Sequence, residues 1–217
     1  MKKVTIFKNI FFLISIIHII SIIVNNEGVR VFTKPLMLFL LVLFYISSVE
    51  VVNKAFLIAL SFSLLGDVFL ISNSEMNFMF GLASFLTAHI LYIIVVFKQL
   101  KESVLRDKIK AATPFVFVLF GLIYLLINNL GEMLIPVIVY GLVISIFGTV
   151  SLLNYLIEKS KKSLLLFIGS LFFILSDSIL AINKFHEPKL FYPVLIMTTY
   201  IVAQYLICRF MIVKKEE

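Results

Sequence analysis

Long apolar runs separated by short polar segments fill most of the chain. An α-helix needs about 20 apolar residues to cross a bilayer. Eight such runs are found, at residues 7–24, 35–49, 55–71, 78–97, 114–128, 133–157, 164–183 and 190–213. Four of the five prolines fall near the predicted N-terminal ends of these runs, where a missing N–H costs least. The pattern predicts an all-α integral membrane protein with residues 1–217 in a single eight-helix transmembrane domain.

Composition excludes an ordinary soluble enzyme. Of the 217 residues, 62% are hydrophobic and only 14% are charged, whereas a soluble domain is about one-quarter charged. The first run follows Met1, Lys2 and Lys3, as a signal peptide would, but its end lacks the small residues of a cleavage site. We therefore expect a retained anchor helix.

The net charge of +7 is explained by membrane topology. Fifteen Lys and Arg residues fall on one side of the eight predicted helices, and only Arg30, Lys34, Lys184 and Lys189 fall on the other. Positive residues accumulate on the cytoplasmic side of a membrane protein, so both termini are predicted in the cytoplasm. No basic patch is left over for nucleic acid. The Ile-, Phe- and Lys-rich usage, with few Ala, indicates an AT-rich bacterial genome, so the predicted location is a bacterial inner membrane. The oligomeric state stays open.

Two of the twelve carboxylate residues interrupt apolar runs. Asp67 lies in the third predicted helix and Asp177 in the seventh. A charged residue inside a membrane helix is costly and normally marks a functional site. Counted from the predicted helix ends, both lie about 7–10 Å below the outer boundary, so we expect the two carboxyl groups to meet. The alternative is that each is an isolated residue that hydrogen-bonds between helices.

Further polar residues follow each aspartate in the next predicted helix. His89 and Tyr92 are spaced i and i+3, and Tyr200 and Gln204 are spaced i and i+4, so each pair shares one helix face. We predict that these four residues bind or orient a ligand, a substrate if the protein is an enzyme. The alternative is that His89 and Gln204 are core residues whose hydrogen bonds are satisfied within the protein. Small residues beside them, including Gly66 and Gly81, would allow close helix approach.

A weak internal repeat relates the two halves of the chain. Aligning Asp67 with Asp177 places Phe62 over Phe172 and Leu70 over Leu180. Apolar helices also resemble one another by chance. A four-plus-four repeat and chance similarity therefore both remain open interpretations.

Motifs in four of the predicted helices resemble those of one membrane-enzyme family. They are Gly66-Asp67, Phe80-Gly81 with Phe85, Ala88-His89-x-x-Tyr92, Ser176-Asp177-x-x-Leu180-Ala181 and Tyr200-x-x-Ala203-Gln204. Their order from about residue 60 to the C-terminus, with the eight-helix layout, is similar to that of the YhhN-like lysoplasmalogenase family. The resemblance implies a lipid hydrolase that cleaves the vinyl ether bond of a lysophospholipid. Its products would be a fatty aldehyde and glycerophosphoethanolamine or glycerophosphocholine.

Vinyl ether chemistry fits a pair of carboxyl groups. The bond hydrolyses when its β-carbon is protonated, which gives an oxocarbenium-like cation that water captures. A protonated carboxylic acid and a carboxylate, as in glycoside hydrolysis, meet both needs. Asp67 and Asp177 are the predicted catalytic residues, with acid and base unassigned and with neither metal nor cofactor expected. We also expect an apolar channel to reach them from the lipid, lined by Phe and Leu residues of helices three, four, seven and eight.

Two other functions compete with hydrolysis. Paired acids also bind cations or relay protons in membrane transporters, but no predicted helix is broken at its centre by Gly or Pro. A metal-dependent membrane amidase would need a histidine-rich zinc site, and only His89 is placed for one.

Overall fold

Eight α-helices make up almost all of the structure, a computed structural model that describes residues 2–72 and 74–213. Within these residues there is no β-strand, and two short 3₁₀ turns, Ile127–Asn129 and Gly131–Met133, precede the sixth helix. The helices are α1 (Lys2–Ile23), α2 (Glu27–Ser48), α3 (Lys54–Phe69), α4 (Glu75–Phe97), α5 (Leu105–Leu126), α6 (Leu134–Glu158), α7 (Lys161–Phe185) and α8 (Tyr192–Ile212). The all-α prediction is confirmed.

Seven of these helices are long and apolar enough to cross a membrane. The exception is α3, whose 16 residues extend about 24 Å, less than the roughly 30 Å of a bilayer core. Large apolar side chains such as Phe32, Phe117 and Ile135 are about three-quarters exposed, as expected where lipid replaces water. The chain is therefore a multi-pass helical membrane protein, while a count of eight crossings stays a prediction.

Two helices begin well before the predicted position. Helix α2 begins at Glu27 and α5 at Leu105, so Pro35 and Pro114 lie inside helices and not at their N-terminal ends. The prediction was wrong because the first turns of both helices are polar and carry no hydropathy signal. For α2 the start is set by Asn26, whose side chain accepts a hydrogen bond from the Val29 N–H at 3.1 Å, a typical N-cap.

The chain divides into two compact units. Unit 1 extends to Leu91 and contains α1, α2, α3 and most of α4, and unit 2 begins at Tyr92 and contains α5 to α8. In unit 1, α2 packs against both α1 and α3; in unit 2, α7 packs against both α6 and α8. The single-domain assignment of residues 1–217 stays a prediction.

Small residues bring helices together within each unit, as the sequence predicted. A Cβ atom on Gly66 of α3 would lie 2.6 Å from the Phe85 ring of α4, and one on Gly81 would lie 2.7 Å from Leu70. In unit 2, a Cβ on Gly169 of α7 would lie 3.3 Å from the Ala203 carbonyl oxygen of α8. Side chains larger than hydrogen are excluded at these crossings unless a neighbour moves.

Candidate functional site

Asp67 is buried near the C-terminal end of α3 in unit 1. Only 2% of the residue is exposed, and the helix ends two residues later, at Phe69. Lys34 of α2 interacts electrostatically with the Asp67 carboxyl group, and its Nζ donates a hydrogen bond to the Leu70 carbonyl oxygen at 3.3 Å. The sequence analysis had placed Lys34 in an outer loop. That placement was wrong because α2 starts eight residues earlier than predicted, which puts Lys34 within the helix.

His89 lies in the buried part of α4. Its Nδ1 donates to the Phe85 carbonyl oxygen one turn earlier, at 2.8 Å, because a carbonyl oxygen can only accept. The residue is completely buried. The hydrogen bond fixes which ring nitrogen carries the proton and leaves Nε2 as an acceptor in the neutral ring.

Tyr92, Tyr200 and Gln204 meet in a buried hydrogen-bonded chain in unit 2. The Tyr92 hydroxyl of α4 donates to Gln204 Oε1 of α8 at 3.1 Å. Gln204 Nε2 in turn donates to the Tyr200 hydroxyl at 3.3 Å. All three residues are less than 5% exposed. The structure thus brings together three of the six predicted site residues, and their mutual bonds hold the Gln204 amide in one orientation.

Asp177 belongs to α7 in unit 2 and lines a small cavity. The cavity has a volume of about 60 Å³ and is lined by α5, α6 and α7. Its walls are aliphatic except for Asp177, Tyr140, Ser145 and Ser178. The Tyr140 hydroxyl donates a hydrogen bond to Asp177 Oδ2. Asp177 as a whole residue is half-buried, and it is one of the residues that line this cavity.

The lining of this cavity differs from the sequence expectation. Helices α5 and α6, which were not expected to contribute, supply most of the wall, and no Phe is among the lining residues. Tyr140 was also missed. The sequence carried no distinct signal for it, because Tyr140 is the seventh residue of α6 and tyrosine is common near the ends of membrane helices.

Asp67 and Asp177 have similar surroundings in their two units. Each Asp lies on the third helix of its half and faces a polar side chain from the helix before: Lys34 of α2 for Asp67, and Tyr140 of α6 for Asp177. The residue before each Asp contacts the helix that follows. Gly66 packs under Phe85, and Ser176 donates to the Ile196 carbonyl oxygen at 2.9 Å. These parallels are consistent with the four-plus-four repeat.

The helix ends do not reproduce the equal depth predicted for the two aspartates. Asp67 lies two residues before the end of α3, about 3 Å along the axis, and Asp177 lies eight residues before the end of α7, about 12 Å. The difference arises because α3 ends earlier and α7 extends further than the apolar runs indicated. Since Asp67 belongs to unit 1 and Asp177 to unit 2, the meeting of their carboxyl groups stays a prediction.

Comparison with known proteins identifies the family. The family model described as YhhN matches residues 29–211. The human protein named lysoplasmalogenase TMEM86B is 34% identical over 151 residues, which cover 69% of this chain and 59% of the human protein. Human lysoplasmalogenase TMEM86A is 33% identical over 155 residues, covering 69% and 62%. The chain thus spans about three fifths of the length of these curated relatives. No solved structure matches it. Because the family match includes all of α3 to α7 and most of α2 and α8, the chain belongs to the YhhN family.

Proposed function

We propose that this protein is a membrane lysoplasmalogenase. It would cleave the vinyl ether bond of lysoplasmalogens to a fatty aldehyde and glycerophosphoethanolamine or glycerophosphocholine. The observation that carries the proposal is a pair of carboxyl side chains inside apolar helices, in a YhhN chain whose relatives are named lysoplasmalogenases. Each of these carboxyl groups also has a polar partner from the preceding helix, Lys34 for Asp67 and Tyr140 for Asp177.

The reaction needs one proton donor and one negative charge. A carboxylic acid protonates the β-carbon of the vinyl ether, and the electrons of the double bond form the new C–H bond. The resulting oxocarbenium ion is stabilised by a nearby carboxylate. Water adds to the α-carbon and loses a proton, which gives a hemiacetal. The hemiacetal then collapses to the aldehyde and the free glycerol hydroxyl, so the net reaction consumes one water molecule.

The surroundings of the aspartates support a division of these roles. The Lys34 ammonium attracts the Asp67 carboxyl group, and a neighbouring cation favours a charged carboxylate. Asp67 is therefore assigned as the carboxylate that stabilises the oxocarbenium ion. The proton donor is then Asp177, whose hydrogen-bond donor is the neutral Tyr140 hydroxyl. This division requires that the two carboxyl groups reach one substrate.

The buried polar residues of α4 and α8 are proposed to orient the substrate. His89, Tyr92, Tyr200 and Gln204 offer donors and acceptors within otherwise apolar helices. Groups held in fixed orientations position a substrate without further loss of side-chain entropy. They carry no charge in this role, so their loss should impair hydrolysis less than loss of either aspartate.

The proposed setting is a bacterial inner membrane, crossed eight times, with both termini in the cytoplasm. Fifteen positive residues on one side against four on the other support this orientation. The substrate is itself a membrane lipid, so it reaches the helices from the lipid phase.

Lipid mass spectrometry of the purified protein tests the proposal. Wild-type protein should release fatty aldehyde from lysoplasmalogen but not fatty acid from the matching ester-linked lysophospholipid. The double variant Asp67→Asn with Asp177→Asn should release neither. Absence of aldehyde from the folded wild-type protein would contradict hydrolysis, and protein-dependent solute uptake into vesicles in that case would favour a transporter.

A further inference from the structure

We infer that the cavity beside Asp177 binds the water molecule that captures the oxocarbenium ion, and that Tyr140 is a positioning residue for the Asp177 carboxyl group. This inference rests on the proposed function and concerns one step of it, the addition of water to the α-carbon. The cavity lies among α5, α6 and α7 in unit 2.

The cavity is large enough for water. Its volume is about 60 Å³. One water molecule occupies roughly 30 Å³ of liquid, and a site is roomy enough for water above about 10–15 Å³. The cavity therefore accommodates an ordered water molecule.

The walls supply the polar partners that an ordered water needs. A buried water typically makes about three hydrogen bonds, and a cavity lined only by aliphatic groups stays dry. Here the Asp177 carboxyl and the Tyr140, Ser145 and Ser178 hydroxyls line an otherwise aliphatic space. The Ser178 hydroxyl donates its proton to the Ile174 carbonyl oxygen at 2.6 Å. The Ser178 oxygen can therefore accept a hydrogen bond from water at the cavity wall.

Tyr140 controls which part of the carboxyl group faces the water. Its hydroxyl donates to Oδ2 of Asp177, which restrains rotation of the carboxyl group and makes Oδ1 the oxygen that does not take part in that bond. Once Asp177 has given its proton to the β-carbon, Oδ1 is free to accept a proton from the attacking water. The same residue thus acts first as acid and then as base, and it ends the cycle protonated.

Hydrolysis in D₂O separates water capture from proton transfer. If capture is slowed, the oxocarbenium ion returns a proton to the Asp177 carboxylate and regenerates the vinyl ether. Because the β-carbon first received a deuteron, some of the recovered lysoplasmalogen then carries deuterium and is heavier by one mass unit. Mass spectrometry of both the aldehyde and the unreacted lipid follows the two steps in one reaction.

Two variants disturb the water site in different ways. Tyr140→Phe removes only the hydroxyl, and Ala181→Leu adds three carbon atoms to a residue that lines the cavity. Each should lower kcat by up to about 100-fold, the loss that follows from a misplaced reacting group. The KM should change little, and deuterium should accumulate in the unreacted lysoplasmalogen.

Matched controls lie outside the cavity. Tyr124→Phe alters a tyrosine of α5 that is 86% exposed, and Ala112→Leu alters a half-buried alanine of the same helix. Both should behave as wild type, and size-exclusion chromatography with circular dichroism should show that all four variants are folded.

The outcomes distinguish this inference from the proposed function. Wild-type levels of hydrolysis in both cavity variants, or slower hydrolysis without deuterium in the remaining lipid, would overturn the water site while leaving the hydrolase intact. A wild-type protein that releases no aldehyde would overturn the proposed function, and the hydrolytic role of the cavity with it.

Discussion

Asp67 and Asp177 differ in the side chain with which each carboxyl group interacts. Asp67 is almost fully buried and interacts electrostatically with the basic side chain of Lys34, whereas Asp177 is half-buried and accepts a hydrogen bond from the Tyr140 hydroxyl. Different surroundings assign the acid and the carboxylate roles to particular residues, whereas two adjacent carboxyl groups in identical surroundings would share one proton between them. The asymmetry therefore accords with one carboxylate and one acid, although the two halves of the chain resemble one another.

Replacing either aspartate with asparagine should abolish most hydrolysis. Asparagine keeps the shape and some hydrogen bonds, but it can neither donate a carboxylic proton nor carry negative charge. Loss of general acid–base action alone costs about 10²–10⁴-fold, and loss of cation stabilisation at Asp67 should add to this. The measurement is aldehyde release per minute by each purified variant, with Asp107→Asn as the matched control because Asp107 lies in the first turn of α5. An active Asp67→Asn or Asp177→Asn enzyme would be incompatible with the two-carboxylate mechanism.

Sequence alone located the aspartates but not their partners. A carboxyl group within an apolar run is rare enough to be noticed, and the i, i+4 spacing of Tyr200 and Gln204 placed both on one helix face. Tyr140 gave no comparable signal, since tyrosine is common near the ends of membrane helices. Lys34 was interpreted only as a charge that sets the orientation in the membrane, because a lysine near the end of a membrane helix ordinarily has that role. The Tyr140–Asp177 pair depends on the packing of α6 against α7, which periodicity does not reveal.

At the scale of helices, small residues set the distances that the site requires. Gly66 precedes Asp67 and lies directly under the Phe85 ring of α4. Helices α3 and α4 therefore approach each other next to the buried carboxyl group. The existence of all eight helices followed from hydropathy, whereas the starts of α2 and α5 did not. A proline in the third turn of each helix, Pro35 in α2 and Pro114 in α5, was mistaken for a residue near the helix start, because the polar turns before it contribute no apolar signal.

Adding one methyl group at Gly66 should destabilise the protein measurably. The new Cβ would lie 2.6 Å from two atoms of the Phe85 ring, and overpacking of this kind costs about 1–3 kcal/mol. Thermal unfolding in detergent should show a lower midpoint for Gly66→Ala. Gly121→Ala is the matched control, because nothing lies within 4 Å of its added Cβ.

A second change checks that the cause is the Phe85 ring. Gly66→Ala combined with Phe85→Leu should unfold at a higher temperature than Gly66→Ala alone, measured against Phe85→Leu as its own reference. If Gly66→Ala unfolds at the wild-type temperature, the α3–α4 crossing is looser than its geometry indicates.

For the whole molecule, the membrane class was predictable while its internal arrangement was not. A hydrophobic content of 62% left no room for a soluble domain, and seven helices indeed meet the length and hydropathy of a membrane span. The division at Leu91, within α4, has no signal in the sequence because the apolar run continues across it. The family match from residue 29 to residue 211 includes parts of both units, which indicates that both belong to one functional protein.

The orientation of α3 decides between seven and eight crossings. With 16 residues it is the one described helix too short to meet the length of a membrane span, but the turn at Leu70 and Ile71 continues its apolar surface. If α3 crosses, Glu50 before it and Glu75 after it lie on opposite sides, and α4 returns the chain so that Arg106 lies with Glu50. We expect reporters fused at Glu50 and Arg106 to show a cytoplasmic location and a reporter at Glu75 to show an external one. The fifteen-to-four charge distribution supports this assignment. Glu50 and Glu75 on the same side would instead mean that α3 re-enters or lies along the membrane, and the termini would then face opposite compartments.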